Sequence, residues 1–248
     1  MPAGSFVLVH GGGSTARFWD RLTPLLDRPS LAVDLPGRAG NPADLATLTV
    51  SQEAASVVAD IDRAGIEPPY ALIVHSSGGL VVPEVIEALG DRVSHVVLNA
   101  ASVPPEGGCG LDCMQERHRD GVKIALAQAE KAGISLTTAG PPADPEAFRK
   151  TYGGPPLDDA TLAFVVDPVR CVSDTMHHYL QAVHWSRAGD VPVTYVLTAL
   201  DRPIPRTLQV EMVARLPRPP EIVELETGHI PAVTHPELFA DTVHAAVG

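Results

Sequence analysis

Short apolar runs recur along the chain, each bounded by glycine, proline or small polar residues. They fall at Ser5 to His10, Leu31 to Leu35, Ala71 to Val74, Val93 to Leu98, Val193 to Thr198 and Glu221 to Leu225. Runs this short and this apolar predict strands buried on both faces. Segments with helical spacing lie between them. Arg17 to Leu26 carries Phe18, Leu22, Leu25 and Leu26 on one face. Ser51 to Ala64 does the same with Val57, Val58 and Ile61, and Ser51 is the expected N-cap. Leu80 to Leu89, Pro205 to Leu216 and Pro236 to Val247 complete the helices of this alternation. Strands alternating with helices predict an α/β fold, a mostly parallel sheet flanked by helices.

The rhythm breaks at residue 102 and resumes at 190. Gly107, Gly108, Gly110, Pro141-Pro142 and Gly153-Gly154-Pro155-Pro156 interrupt this stretch. Helical pieces are expected at Gln115 to Ala132, Pro145 to Tyr152, Asp158 to Val166 and Val169 to Ser186. The division predicted is a core of residues 1–101 and 190–248 with a helical cap insertion, 102–189.

In a parallel sheet, ligands bind beyond the carboxyl ends of the strands. The candidate chemistry sits there. After the Ala71 run comes His75-Ser76-Ser77-Gly78-Gly79, the layout of a strand-to-helix turn that exposes a serine. Val74 stands where the usual Gly-x-Ser-x-Gly pattern has glycine. A serine hydroxyl needs a base within reach and an acid to orient it. Asp201 follows the Val193 strand and His229 follows the Glu221 strand, giving the order Ser76, Asp201, His229. The loop after Leu98 offers no carboxylate, Asp34 precedes the serine, and His235 lies past its loop. The backbone N–H groups of Gly12 and Ser77 are the expected oxyanion hole. The Gly11-Gly12-Gly13 loop matches neither Gly-x-Gly-x-x-Gly nor a Gly-Lys-Ser/Thr phosphate loop.

Composition narrows the partners. A net charge of −12 leaves no basic surplus for nucleic acid. No apolar run approaches membrane-spanning length. Met1 to Ser5 does not read as a leader, so a reduced, cytoplasmic protein is expected. Cys109, Cys113 and Cys171 cannot all pair within one chain, and Cys109 and Cys113 with His118 make a poor zinc site. His177, His178 and His184 lack thiol or carboxylate company, so no metal is expected.

Taken together, Phe6-Val7-Leu8-Val9-His10-Gly11-Gly12, Val33-Asp34-Leu35-Pro36-Gly37, His75-Ser76-Ser77-Gly78-Gly79, Tyr195-Val196-Leu197-Thr198 with Asp201, and Gly228-His229 with Pro236 resemble the α/β-hydrolase superfamily over nearly the full chain. The chain is most similar to the branch of small methyl-ester esterases, their bacterial relatives and hydroxynitrile lyases. That resemblance implies the α/β-hydrolase fold, a helical cap, no cofactor and a serine esterase; the apolar insertion points to a small, rather apolar carboxylic ester or lactone as its substrate. In the lyases a hydroxylated residue follows the first-strand histidine and a lysine follows the catalytic histidine. Gly11 and Ile230 hold those places here. A lyase, cyclase or isomerase using the same Ser/His pair, or a ligand-binding sensor, stays as the alternative. Gly13, Phe164, Met176, Trp185 and Ile230 are the expected pocket wall; the oligomeric state is not readable.

Overall fold

The structure, a computed structural model, describes residues 4–138, 140–142, 144–152 and 154–248. Gly153, expected to interrupt helices, and Met1 to Ala3 of the N-terminal stretch lie outside the described residues. The six runs form six strands: β1 (Ser5–Val9), β2 (Ser30–Val33), β3 (Tyr70–His75), β4 (Val93–Asn99), β5 (Val193–Thr198) and β6 (Glu221–Leu225). They make one sheet of order β2-β1-β3-β4-β5-β6, every pair parallel.

Side chains alternate between the two faces of the sheet, as a period of two requires. Val7, Leu72, Val74, Leu98 and Tyr195 point into one apolar cluster. Phe6, Leu8, Ile73, Val97 and Val196 point into the other. On the first face lie α1 (Val50–Ala64) and α2 (Val82–Leu89). Burying each such aliphatic side chain is worth about 1.5–3 kcal/mol. The two clusters therefore hold the central strands firmly, and the site is built on their ends.

Between β4 and β5 run α3 (Glu116–Ala132), α4 (Pro145–Tyr152) and α5 (Asp159–Val166). After β5 come α6 (Arg206–Val213) on the first face, then α7 (Pro231–Thr234) and α8 (Pro236–Val247) on the second. Among the described residues no helix is long and apolar enough to cross a membrane, and all three cysteines are free thiols.

Several expectations need correction. Arg17 to Leu26 is two 3-10 turns, Ala16–Arg21 and Thr23–Leu25. Pro24 supplies no N–H to continue an α-helix through it. The cap of α1 is Thr49, not Ser51. Its side chain accepts from the Gln52 N–H, and Gln52 returns the bond. Leu80 ends a 3-10 turn, and α2 starts only at Val82. Val169 to Ser186 is not an α-helix; it is extended chain with 3-10 turns at His178–Leu180 and Trp185–Ala188. There the Asp174 carboxylate accepts the Thr175 N–H (2.7 Å), and the Thr175 hydroxyl accepts the His177 N–H (2.9 Å). Such local side-chain bonds compete with helical ones.

Candidate active site

β3 delivers Ser76 to the carboxyl edge of the sheet. Its φ is +51°, in the left-handed region that side chains avoid. Such a conformation costs on the order of 1–3 kcal/mol and persists only where surroundings impose it. They do so here. The Ser102 N–H donates to the Ser76 carbonyl at 2.8 Å. A Cβ at Gly79 would lie 2.4 Å from the Ser102 carbonyl oxygen. Val74 is fully buried one residue before His75, and Gly78 leaves room beside it: an added Cβ there would meet Val74 Cγ1 at 3.2 Å. The bulk that Val74 brings in place of the usual glycine is thus accommodated on the helix side of the turn.

β5 and β6 deliver the partners. His229 Nε2 lies 3.0 Å from Ser76 Oγ, and His229 Nδ1 lies 2.6 Å from Asp201 Oδ2. Asp201 is buried and fully engaged. Its Oδ2 also accepts from the Thr198 hydroxyl (2.8 Å), and its Oδ1 accepts from the Ile204 N–H (2.8 Å). His75 is a packing residue. Its ring stacks on Phe18 at 4.7 Å, and its Nε2 lies 3.0 Å from the His229 carbonyl oxygen. Burial, and then the neighbouring His229, hold its pKa well below the ordinary histidine value. It stays neutral, which suits a donor to that carbonyl. The competitors stand apart: Asp34 accepts from the Ala16 N–H, and His235 pairs with Thr234.

A cavity of about 560 Å³ opens over Ser76 and His229. That size suits a small organic molecule. Its floor includes Gly12, Gly13 and Ser77; Phe164, Met176 and Ile230 also line it. Trp185 does not. It is 1% exposed and joins the core cluster beside α2. A ring that size gains more from full burial than from walling a wet cavity. The histidines of its segment are likewise dispersed: His177 bonds the Leu48 carbonyl, His178 bonds Glu53, and His184 bonds Glu106. Among the described residues no cluster of His, Cys, Asp or Glu could hold a metal ion.

The segment between β4 and β5 is fastened to the loops that carry Asp201 and His229. The last carbonyls of a helix need outside donors. At α4 the Lys150 carbonyl accepts from Arg202 (2.5 Å), next to Asp201, and the Tyr152 carbonyl accepts from the His229 N–H (3.1 Å). The Tyr152 ring meets the His229 ring edge-on at 5.9 Å and stacks on Phe148 at 4.1 Å. Sequence reasoning missed Tyr152 and also Asp174, Tyr179 and Arg38, which gather beside Gly12 and Gly13. Asp174 and Tyr179 fall in the segment misread as a helix. Nothing in the sequence marks Arg38 as buried.

The chain has recognisable relatives. A putative chloroplastic methylesterase 11 from Arabidopsis thaliana is 26% identical over 94% of this chain, which spans 61% of that relative. The chain thus covers about three fifths of its length. Esterase PIR7B from Oryza sativa subsp. japonica is 25% identical over 86% of this chain and 84% of its own. The solved structure of an extracellular alpha/beta-hydrolase from a Paenibacillus species superposes with a TM-score of 0.78, at 20% identity, covering 98% of both chains. The resemblance to the methylesterase branch is borne out by these relatives, and the last likeness bears on fold. The model of the alpha/beta hydrolase family matches residues 6–242, from the first strand into the last helix. With a parallel sheet whose strand ends carry the serine turn, and a match over nearly its whole length, the chain belongs to the alpha/beta hydrolase family.

Proposed function

We propose that this protein is a serine esterase that hydrolyses a small, rather apolar carboxylic ester or lactone through an acyl-enzyme. The observation that carries this reading is the unbroken line from Ser76 Oγ through His229 to Asp201, with spacings of 3.0 and 2.6 Å. His229 Nε2 takes the proton as Ser76 Oγ attacks the ester carbonyl carbon. Asp201 holds the imidazole so that Nε2 is free to accept. The N–H groups of Gly12 and Ser77 face the developing oxyanion. The alcohol leaves with the proton from His229, and water then releases the acid by the reverse sequence. Among the described residues, no hydrogen bond of the protein uses the Gly12 N–H, which supports its assignment.

In this reading residues 102–189 are the cap and residues 1–101 with 190–248 the core. The substrate class rests on the lining: Phe148, Phe164, Met176 and Ile230 offer apolar contact around a few polar atoms. Ile230 also stands where a lyase would carry lysine, which favours hydrolysis. The names of the methylesterase and esterase relatives point the same way. Turnover of p-nitrophenyl acetate by the wild type and by Ser76→Ala tests the assignment. The variant is expected to lose activity by several orders of magnitude. Equal rates would remove Ser76 as nucleophile.

A further inference from the structure

A glycine loop that must hold an amide toward an oxyanion has a difficulty. Gly11-Gly12-Gly13 has no side chains to pack, and glycine backbone is the most free to move. Gly13 sits at φ +66°, held within the loop by a single long turn bond, from the Ser14 N–H to the Gly11 carbonyl at 3.4 Å. Something outside must fix it. Residues 171–174, at the far end of the insertion, run alongside. Ser14 and Cys171 form an antiparallel bridge. The Val172 N–H donates to the Gly13 carbonyl at 2.9 Å. The Gly13 N–H donates to Asp174 Oδ2 at 2.9 Å. Gly13 is therefore held at both its polar atoms.

Asp174 is itself held by a buried charge ladder that the proposed chemistry does not use. Its Oδ1 accepts from Arg38 Nη2 and from the Thr175 N–H (2.7 Å). Arg38, 1% exposed, also donates to the Pro36 carbonyl (2.6 Å) and stands 3.7 Å from Glu53. Glu53 pairs with His178 at 2.9 Å. Buried ion pairs of this kind contribute little net stability against apolar residues of the same volume. A ladder running from α1 to the glycine loop does supply one thing an apolar cluster cannot: a fixed carboxylate with two accepting oxygens.

We propose that Asp174 is a positioning residue, which draws the Gly13 N–H aside and so sets the Gly12 N–H toward the oxyanion. This inference rests on the serine esterase reading. It requires aspartate in particular, because both oxygens accept. In Asp174→Asn one oxygen becomes an NH2 group. Oδ1 faces two donors, Arg38 and the Thr175 N–H, whereas among the described residues Oδ2 accepts only from the Gly13 N–H. The amide therefore turns its oxygen to Arg38 and its NH2 to Gly13, donor against donor, and the clasp opens with little change in volume.

The test is p-nitrophenyl acetate kinetics of Asp174→Asn, with affinity for a trifluoromethyl ketone that binds as a tetrahedral oxyanion. We expect kcat to fall roughly 100-fold, ketone affinity to weaken by a similar factor, and KM to stay within about twofold. Asp174→Asn with wild-type kcat and ketone affinity, or with only KM raised, overturns the proposal. If Asp174→Asn does not fold, amide exchange in the wild type decides: Gly13 should exchange slowly, and Gly12 quickly until the ketone binds. Fast exchange at Gly13, or a ketone response at Gly13 instead of Gly12, overturns it equally. Ser76→Ala keeps the two readings apart. If it matches wild type the esterase reading has failed, whereas an inactive Ser76→Ala beside an unimpaired Asp174→Asn sinks only the clasp.

Discussion

Asp201→Asn separates orientation of the base from integrity of the fold. In the wild type three donors converge on the carboxylate: His229 Nδ1–H and the Thr198 hydroxyl on Oδ2, and the Ile204 N–H on Oδ1. Asparagine keeps one acceptor and replaces the other with a donor. The Ile204 N–H cannot reverse. The other two partners can, because imidazole shifts its proton to Nε2 and the hydroxyl rotates to accept. Setting the asparagine NH2 against the Ile204 N–H would strand a buried donor, at about 1–3 kcal/mol. That favours the opposite orientation by roughly 5- to 150-fold. His229 then carries its proton on Nε2, facing Ser76, and has no lone pair to offer. The His229 and Ile204 bonds are remade and only the Thr198 hydroxyl proton, whose oxygen already accepts from Gln209, loses its acceptor, so unfolding free energy should fall by no more than about 1–3 kcal/mol. Activity should fall about 10,000-fold, or about 5.4 kcal/mol of transition-state stabilisation. The assay is p-nitrophenyl acetate turnover beside thermal unfolding, with nitrogen NMR of His229 reporting the tautomer. Activity within tenfold of wild type, or a loss of activity matched by a comparable loss of stability, would refute the reasoning.

Other outcomes follow from the same contacts. Gly79→Ala forces a Cβ to within 2.4 Å of a backbone oxygen that cannot yield. A loss of about 3 kcal/mol is expected, lowering Tm by roughly 6–12 °C; a Tm within about 2 °C of wild type would show that the turn is looser than described. For His178, burial opposes protonation, but the Glu53 carboxylate outweighs it and the pKa is raised. Its charge therefore stabilises the fold fully below the unfolded value of about 6.5, and that contribution is lost as pH rises through the folded value. The stability gap between wild type and His178→Gln should be wider at pH 6 than at pH 8.5, and an equal gap would count against a charged pair. His10, pushed down to about 4 by burial and then by Arg38, works in the other direction. Its contribution is lost as pH falls from about 6.5 toward 4, so the wild type itself should melt earlier in acid.

The strands were legible because each is buried on both faces and bounded by glycine, proline or a small polar residue. Chain order and strand ends also singled out Ser76, Asp201 and His229, and the His229 ring stands within hydrogen-bond reach of both the others. What escaped was set by contacts between distant segments. Val169 to Ser186 has residues that fit a helix one by one, yet Asp174 and Thr175 bond their own backbone and Arg38 and Gly13 claim Asp174. Trp185 is a large aromatic on the stretch expected to wall the pocket, and its place in the core depends on where the chain re-enters beside α2. Thr49 outcompeted Ser51 because Gln52 completes a reciprocal pair with it, a signal that was present and overlooked.

The fastening of α4 has a price in versatility. The helix that roofs the cavity and the loops that carry imidazole and carboxylate share the same two rivets, Arg202 on the Lys150 carbonyl and the His229 amide on the Tyr152 carbonyl. A roof swung wide enough to admit a bulky guest would pull on the backbone of the very histidine that has to meet it. On the proposed esterase reading, breadth of substrate and speed of turnover are thus tied together in this scaffold, and slackening α4 to widen the first would be expected to slow the second.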